Sequence, residues 1–224
     1  MTQLQVVIWT ESWLDDNDLD REVFPDNYSC YRKDRNSRGG SVLILVHKSI
    51  VSKERQIETE NVANVWCELS LTNGKLLAVG AFYRPSGTLP CVLRLLSEIV
   101  SVTGSAKTII RGAFNLRAIE RKANNQRTGV GRELYTEFFS LVDLCSLEQH
   151  VFEPMRNDET GHILDFHLTN TPGIISNTHV IPGISDHKVV VADVYLANTN
   201  VGRSKSRKVF LYTKTVCNGM SSAV

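Results

Sequence analysis

The chain reads as an α/β fold, a layered sandwich of mixed, mainly antiparallel sheets with helices outside. Three observations predict it. Short β-type runs outnumber helical patterns along the 224 residues. Asn73-Gly74 joins two of those runs, which is a strong hairpin signal. Most runs also lack strict apolar–polar alternation, as expected of sheets covered on both faces.

Val6-Val7-Ile8-Trp9 is β-branched and aromatic and predicts a buried strand. A polar, acidic stretch follows from Asp15 to Asp20. Tyr31 to Gly40 is basic, ends in two glycines and predicts a loop. Ser41 to Val46, Val65 to Leu71 and Leu76 to Tyr83 are the next strands. Arg84-Pro85-Ser86-Gly87 breaks the pattern. Val92, Leu95, Leu96, Ile99 and Val100 then recur at helical spacing, as do Leu134, Phe138, Leu141, Val142 and Cys145. Between them Lys107 to Arg111 is a short strand that turns at Gly112. Ile163 to Leu168 and Val189 to Leu196 complete the strands of a domain spanning residues 1–197. Residues 198–224 read as a linker or tail.

A 42% hydrophobic content supports one large core. The net charge of +1 excludes a globally basic nucleic-acid binder, so DNA contact would need a local patch. Cys30, Cys67, Cys91, Cys145 and Cys217 form no CxxC pair, which argues against a disulfide framework or zinc site and fits a reducing compartment. No apolar run approaches the ~20 residues of a membrane helix, and no signal peptide is recognisable. An intracellular location is expected.

Polar residues gather at predicted strand ends, where α/β folds place active sites. They are Thr10-Glu11-Ser12-Trp13, Tyr83-Arg84-Pro85, Gly112-Ala113-Phe114-Asn115 and Ser185-Asp186-His187. Asp165, between Leu164 and Phe166, has two readings. It lies on the polar face of an edge strand, or it is buried and needs a partner such as His187.

In order and wording these stretches resemble the endonuclease/exonuclease/phosphatase superfamily, and within it the endonuclease domains of LINE-type retrotransposons. Val7 to Leu14, Gly39 to Ile44, Val79 to Pro85, Ile109 to Asn115, Ile163 to Asn170 and Ile184 to His187 carry the likeness, and Arg207 to Tyr212 extends it. The resemblance implies a four-layer, DNase I-like sandwich. It also implies Mg²⁺-dependent (or Mn²⁺-dependent) nicking of DNA, leaving a 3′ hydroxyl that primes reverse transcription. It implies DNA and the reverse transcriptase region of a parent polyprotein as partners, no small-molecule cofactor and a nuclear setting.

Position by position, the resemblance makes Glu11 a metal ligand, with Asp186 an acid near the metal and Ser185 a supporting hydroxyl. Tyr83 matches a phosphate-binding tyrosine, Asn115 the asparagine that orients water or phosphate, and Asp165 with His187 a carboxylate–imidazolium pair. Arg32, Lys33, Arg35, Arg38 and Arg84 are expected at the DNA surface. Arg117, Arg121, Lys122 and Arg127 form a second basic stretch.

The chain departs from the pattern at three places. Where the family reads Gly-Asp-Phe-Asn, Ala113 replaces the aspartate that aligns and deprotonates the attacking water. Where the family has Pro-Thr-Arg, this chain has Pro154-Met155-Arg156. The family also carries an upstream strand and first helix, so the chain is expected to be N-terminally truncated, with a bared sheet edge. Losing a general base typically costs about 10²- to 10⁴-fold. An impaired endonuclease is therefore expected, and the alternative is a non-catalytic DNA-binding relic of the same fold. A branch acting on a phosphorylated lipid, sugar or RNA tail is disfavoured by the Tyr83-Arg84-Pro85 and Ile163-Leu164-Asp165 wording.

Overall fold

Two hairpin-linked runs build the centre of one sheet. In a computed structural model, β1 (Val6–Thr10), α1 (Asp20–Val23), β2 (Tyr28–Lys33), β3 (Val42–His47) and β4 (Ser52–Glu54) precede β5 (Ala63–Ser70) and β6 (Leu76–Tyr83). Then come α2 (Cys91–Val102), β7 (Lys107–Ala113), α3 (Arg132–Leu144), β8 (Glu148–Gln149), β9 (Asp165–Thr169), β10 (Ile175–Ile181), β11 (Val189–Tyr195) and β12 (Ser206–Thr213). The structure describes residues 4–34, 40–57, 63–71, 74–87, 89–102, 107–116, 132–151, 165–171, 173–183 and 188–195, and the backbone of 206–213.

The first sheet has the order β10-β11-β12-β1-β3-β2 and the second β4-β5-β6-β7-β9-β8. Pairing is antiparallel except for β1–β12 and β6–β7. The β6–β7 pair is parallel because α2 carries the chain across between them. At the predicted hairpin, Gly74 adopts φ +72°, its N–H donates to the Leu71 carbonyl at 3.0 Å, and β5 pairs with β6. Asn73 lies outside the described residues.

Between the sheets lies a core of Val6, Ile8, Ile44, Val65, Val79 and Ile109, among others. The outer face of the second sheet packs on α2 and α3 through Phe82, Leu93, Leu96, Ile110, Phe114, Phe138 and Leu141. The outer face of the first sheet is covered more thinly, with Trp9 and Leu43 clustering with Leu14 and Phe24. Both helices follow the apolar spacing read from the sequence.

Three readings are corrected. Tyr28–Lys33, whose end was expected as loop, is the edge strand β2, paired among the described residues with β3 alone. An edge strand tolerates Arg32 and Lys33 because it is half-solvated, and charge there also blocks further pairing. Polar alternation, as in β10, hid another strand. Residues 206–213 are not a free tail: β12 lies between β11 and β1, in register from Val6–Val209 to Thr10–Thr213. The 1–197 boundary therefore cuts through a sheet, and β1 is not a bared edge.

Two glycines permit the tight layering of the second sheet. A Cβ on Gly80 would lie 2.7 Å from the Trp66 ring, and one on Gly112 would lie 2.1 Å from the Phe82 carbonyl oxygen. A ring can shift, whereas a paired backbone carbonyl cannot. Gly112→Ala is therefore expected to cost about 3 kcal/mol, more than Gly80→Ala, as measured by urea denaturation. Equal costs would show that the β6–β7 approach is not rigid.

Candidate active site

Three of the strand ends singled out from the sequence, those after Thr10, at Tyr83 and at Ala113, meet at one end of the sandwich. β1 lies across β6 and β7, and β3 across β5 and β6. In the first sheet Lys33 pairs with Val42, and Val42 with Thr10. In the second, Asn64 pairs with Phe82, and Phe82 with Gly112. Arg32 and Lys33 line one groove together with Asn64, Val65 and Trp66. The Thr10 end of one sheet therefore faces the Phe82 end of the other. Glu11, Tyr83, Ala113, Asn115 and Asp165 all lie at this end.

Across the second sheet, Ala63, Tyr83, Ala113 and Asp165 form one row of register partners on β5, β6, β7 and β9. Tyr83 is half-buried against the inter-sheet core. Asp165 is 1% exposed on a strand flanked by β7 and β8, so the edge-strand reading fails and the buried reading holds. The Ala113 methyl stands between the tyrosine and the aspartate. Phe114, next along the chain, points the other way into an aromatic cluster. Its ring centroid lies 4.9 Å from Phe82, 5.6 Å from Phe138 and 5.5 Å from Phe166. That anchor fixes the corner from which Asn115 projects.

The corner is strained and clamped. Asn115 has φ 53°, a left-handed conformation costly outside glycine but tolerated by asparagine. Its side-chain amide donates to the Arg84 carbonyl at 2.6 Å. Arg84 returns two bonds, Nε to the Phe114 carbonyl at 2.7 Å and Nη2 to the Asn115 carbonyl at 3.0 Å, while its N–H reaches the Ala113 carbonyl at 2.9 Å. Arg84 is 2% exposed, and burial lowers its pKa, partly offset by Tyr135 and Tyr83. This corrects its expected place at the DNA surface: the guanidinium positions the Asn115 corner from within.

Glu11 is held similarly. It has φ 59°, and Trp13 has φ 61°. The Glu11 N–H donates to the Ser41 carbonyl at 2.7 Å, and Ser41 Oγ donates to the Leu14 carbonyl at 3.0 Å. The backbone thus turns sharply out of β1 as soon as it passes Thr10. Arg32 is bridged to Asp20 at 2.9 Å and to Asp34 at 3.2 Å, so its charge is largely balanced locally. Lys33 lines the groove with Arg55 and Glu54, and burial lowers its pKa. Ser185, Asp186, His187, Arg35, Arg38, Pro154-Met155-Arg156 and the basic stretch Arg117 to Arg127 lie outside the described residues.

The sequence reading passed over two residues, Arg111 and His167. They are register partners, both 0% exposed, two register positions inward from the Ala113–Asp165 pair. Among the described residues, no guanidinium nitrogen of Arg111 and neither ring nitrogen of His167 has a hydrogen-bond partner. Burial first, then Arg111 and His150, hold the His167 pKa well below the ordinary imidazole value. Burial lowers the Arg111 pKa, and Asp165 works against that. The available signal was period-2 spacing, which puts Arg111 on the same strand face as Ala113.

No protein-family model and no curated protein sequence matches the chain. Solved structures do. The endonuclease domain of TRAS1, a telomere-specific non-LTR retrotransposon, superposes with a TM-score of 0.65 at 11% identity, covering 87% of each chain. An endonuclease/exonuclease/phosphatase family protein from Leptotrichia buccalis gives a TM-score of 0.53 at 14% identity, over 82% of this chain and 84% of the other. The chain has the DNase I-like fold. Identity at this level speaks to fold alone. In this DNase I-like sandwich, Glu11, Tyr83, Asn115 and Asp165 share the end where β1, β6, β7 and β9 meet. No helix among the described residues is long and apolar enough to cross a membrane.

Two measurements probe this end of the sandwich. Arg84→Met removes the donors to two corner carbonyls. It is expected to cost about 2–3 kcal/mol and to speed amide exchange in the Ala113–Asn115 corner; unchanged exchange would refute the clamp. His167 gives a pH signature. Below the ordinary imidazole pKa the unfolded chain takes up a proton that the native state refuses, so stability falls as pH drops from about 6.5 toward the lower native value. His167→Gln should flatten the loss between pH 7 and 5 by about 1–2 kcal/mol in urea titrations. An unaltered slope would show that His167 titrates normally.

Proposed function

We propose that this chain is a retrotransposon-derived DNA endonuclease domain whose phosphodiester chemistry is impaired. The observation that supports the reading is the convergence of Glu11, Tyr83, Asn115 and Asp165 at one end of a DNase I-like sandwich. On this reading the Tyr83 hydroxyl and the Asn115 amide face the scissile phosphate. Asp165 orients His187, whose imidazolium offsets charge as the phosphorus centre gains its fifth oxygen. Ala113 presents a methyl group where a base would take a proton from the attacking water, and this favours the second reading, a relic that binds DNA without cutting it. The partners are DNA and the reverse transcriptase region of the parent polyprotein, and the setting is the nucleus.

The inherited reaction calls for Mg²⁺, with Mn²⁺ as a substitute, and Glu11 and Asp186 are the proposed ligands. When bound, such an ion polarises phosphate oxygens. The described residues fit it poorly. No group of three His, Cys, Asp or Glu among them is placed to hold a metal, Ala113 contributes no oxygen, and Arg111 buries a positive charge two register positions away.

In a plasmid-nicking assay with Mg²⁺ or Mn²⁺ the protein is expected to show no cleavage above background. Duplex DNA is expected to be retained at low salt and lost by about tenfold or more between 50 and 200 mM, and Lys33→Glu should weaken retention further. No retention at low salt would sink the DNA reading. Turnover of a small phosphoester without DNA binding would move the protein to another branch of the fold.

A further inference from the structure

Of the chain's three tryptophans, Trp9 and Trp66 are each 1% exposed, whereas Trp13 is 47% exposed. Exposure alone decides nothing. Val51 and Leu144 are more exposed still, and solitary apolar side chains are ordinary on a protein surface. Trp13 differs in how it is held. Its backbone lies in the left-handed region at φ 61°, as does that of Glu11 two residues earlier at φ 59°. Bulky residues rarely occupy that region. The residues on either side are buried, Ser12 at 1% and Leu14 at 3% exposure. Ser41 fastens both. Its carbonyl accepts the Ser12 N–H at 3.3 Å, and its hydroxyl donates to the Leu14 carbonyl at 3.0 Å. Leu14 itself packs with Trp9 and Phe24. The backbone is thus pinned before and after Trp13, and the indole is carried on a stiff turn at the end where Glu11 lies.

We propose that the Trp13 indole is a stacking platform for an unstacked nucleobase of bound DNA. The inference rests on reading this end of the sandwich as a DNA-binding site, and it names the form of DNA taken. Trp13 stands in the chain between Glu11 and an acidic segment carrying Asp15, Asp16, Asp18 and Asp20. Arg32, which reaches that segment, is already bridged to Asp20 and Asp34. The carboxylates repel a phosphate backbone, so the phosphates are kept toward the groove that Lys33 lines. The part of a nucleotide that suits a flat, uncharged ring beside carboxylates is the base, itself flat and uncharged. Base–aromatic stacking is favourable and tolerant of sequence. In a regular duplex the base faces are already stacked on one another. The preferred ligand is therefore a single strand, a frayed end or a flexible step that opens at low cost.

The probes are an oligothymidylate and an abasic oligomer of the same length and charge, both at low salt. Because Trp9 and Trp66 are buried, acrylamide quenching of the native protein reports Trp13. Oligothymidylate should lower the tryptophan emission and shield it from acrylamide, and the abasic oligomer should do neither. Anisotropy titrations with end-labelled oligomers give the affinities. Trp13→Ala should weaken oligothymidylate binding by about fivefold or more and leave abasic binding unchanged, while Trp13→Phe keeps most of the affinity. If Trp13→Ala fails to fold, the quenching of the native protein decides alone. Three results would overturn the stacking role and leave the DNA reading standing: equal affinity of the native protein for the two oligomers, undiminished acrylamide access in the oligothymidylate complex, or a folded Trp13→Ala protein that binds oligothymidylate as tightly as the native one. Binding of neither oligomer nor of duplex DNA at low salt would overturn the DNA reading, and the stacking role with it.

Discussion

The approach of β6 to β7 at the Phe82–Gly112 pair is the constraint on which the site depends. Because a glycine stands there, the strands sit closer than a Cβ would allow. The next residues then have fixed destinations, with Ala113 beside Tyr83 and Asp165 and Phe114 among Phe82, Phe138 and Phe166. With Phe114 anchored, the backbone must leave the strand at Asn115 in a left-handed turn, and Arg84 is buried to hold that turn. A local steric fact in the sheet thus becomes the geometry of a corner.

The same logic explains where the strain lies. Glu11, Trp13 and Asn115 are non-glycine residues with positive φ, each costing on the order of 1–3 kcal/mol. They flank the ends of β1 and β7, and each end is clamped by backbone or buried side-chain hydrogen bonds from a neighbouring segment, Ser41 in one case and Arg84 in the other. A turn that merely connected strands would not need such support. Ser146 and Asn177 also have positive φ, so strain alone does not mark a site; at the ends of β1 and β7 it coincides with buried hydrogen bonds that fix where the next side chains project.

Much of this was legible in the sequence, and what was not has physical causes. The glycine of the hairpin announced β5–β6, and the apolar spacing of Leu96, Ile99, Phe138 and Leu141 announced the helices, because turn chemistry and helical period are local signals. Edge strands such as β2 and β10 carry polar residues on their solvated sides and lose the apolar signature. β12 owes its place to partners some 200 positions away in β1, a contact that no local pattern records. At the site, Glu11, Tyr83, Asn115 and Asp165 lie at one end of the sandwich, but their surroundings were not foreseen. Arg84 was expected to face DNA because arginines usually seek solvent or phosphate. It is buried because its guanidinium supplies donors to two backbone carbonyls at the corner, those of Phe114 and Asn115. Arg111 was passed over because one charge within an apolar run looks like the solvated face of a strand. Only the covering of both faces shows that it has no solvated face.

Scaffold and chemistry separate in this chain. The residues that shape the corner (Gly112, Phe114, Arg84 and Asn115) act through sterics and hydrogen bonds that make no reference to substrate. Ala113 and Arg111 act through charge, and changing charge leaves those steric and hydrogen-bond relations intact. Ala113 brings a methyl group and Arg111 a fully buried guanidinium to the same strand face, beside Asp165 and His167 on β9. Burying a cation and a carboxylate on one sheet face is an electrostatic cost that the packed interior carries, and it is kept apart from the steric relations that hold the corner.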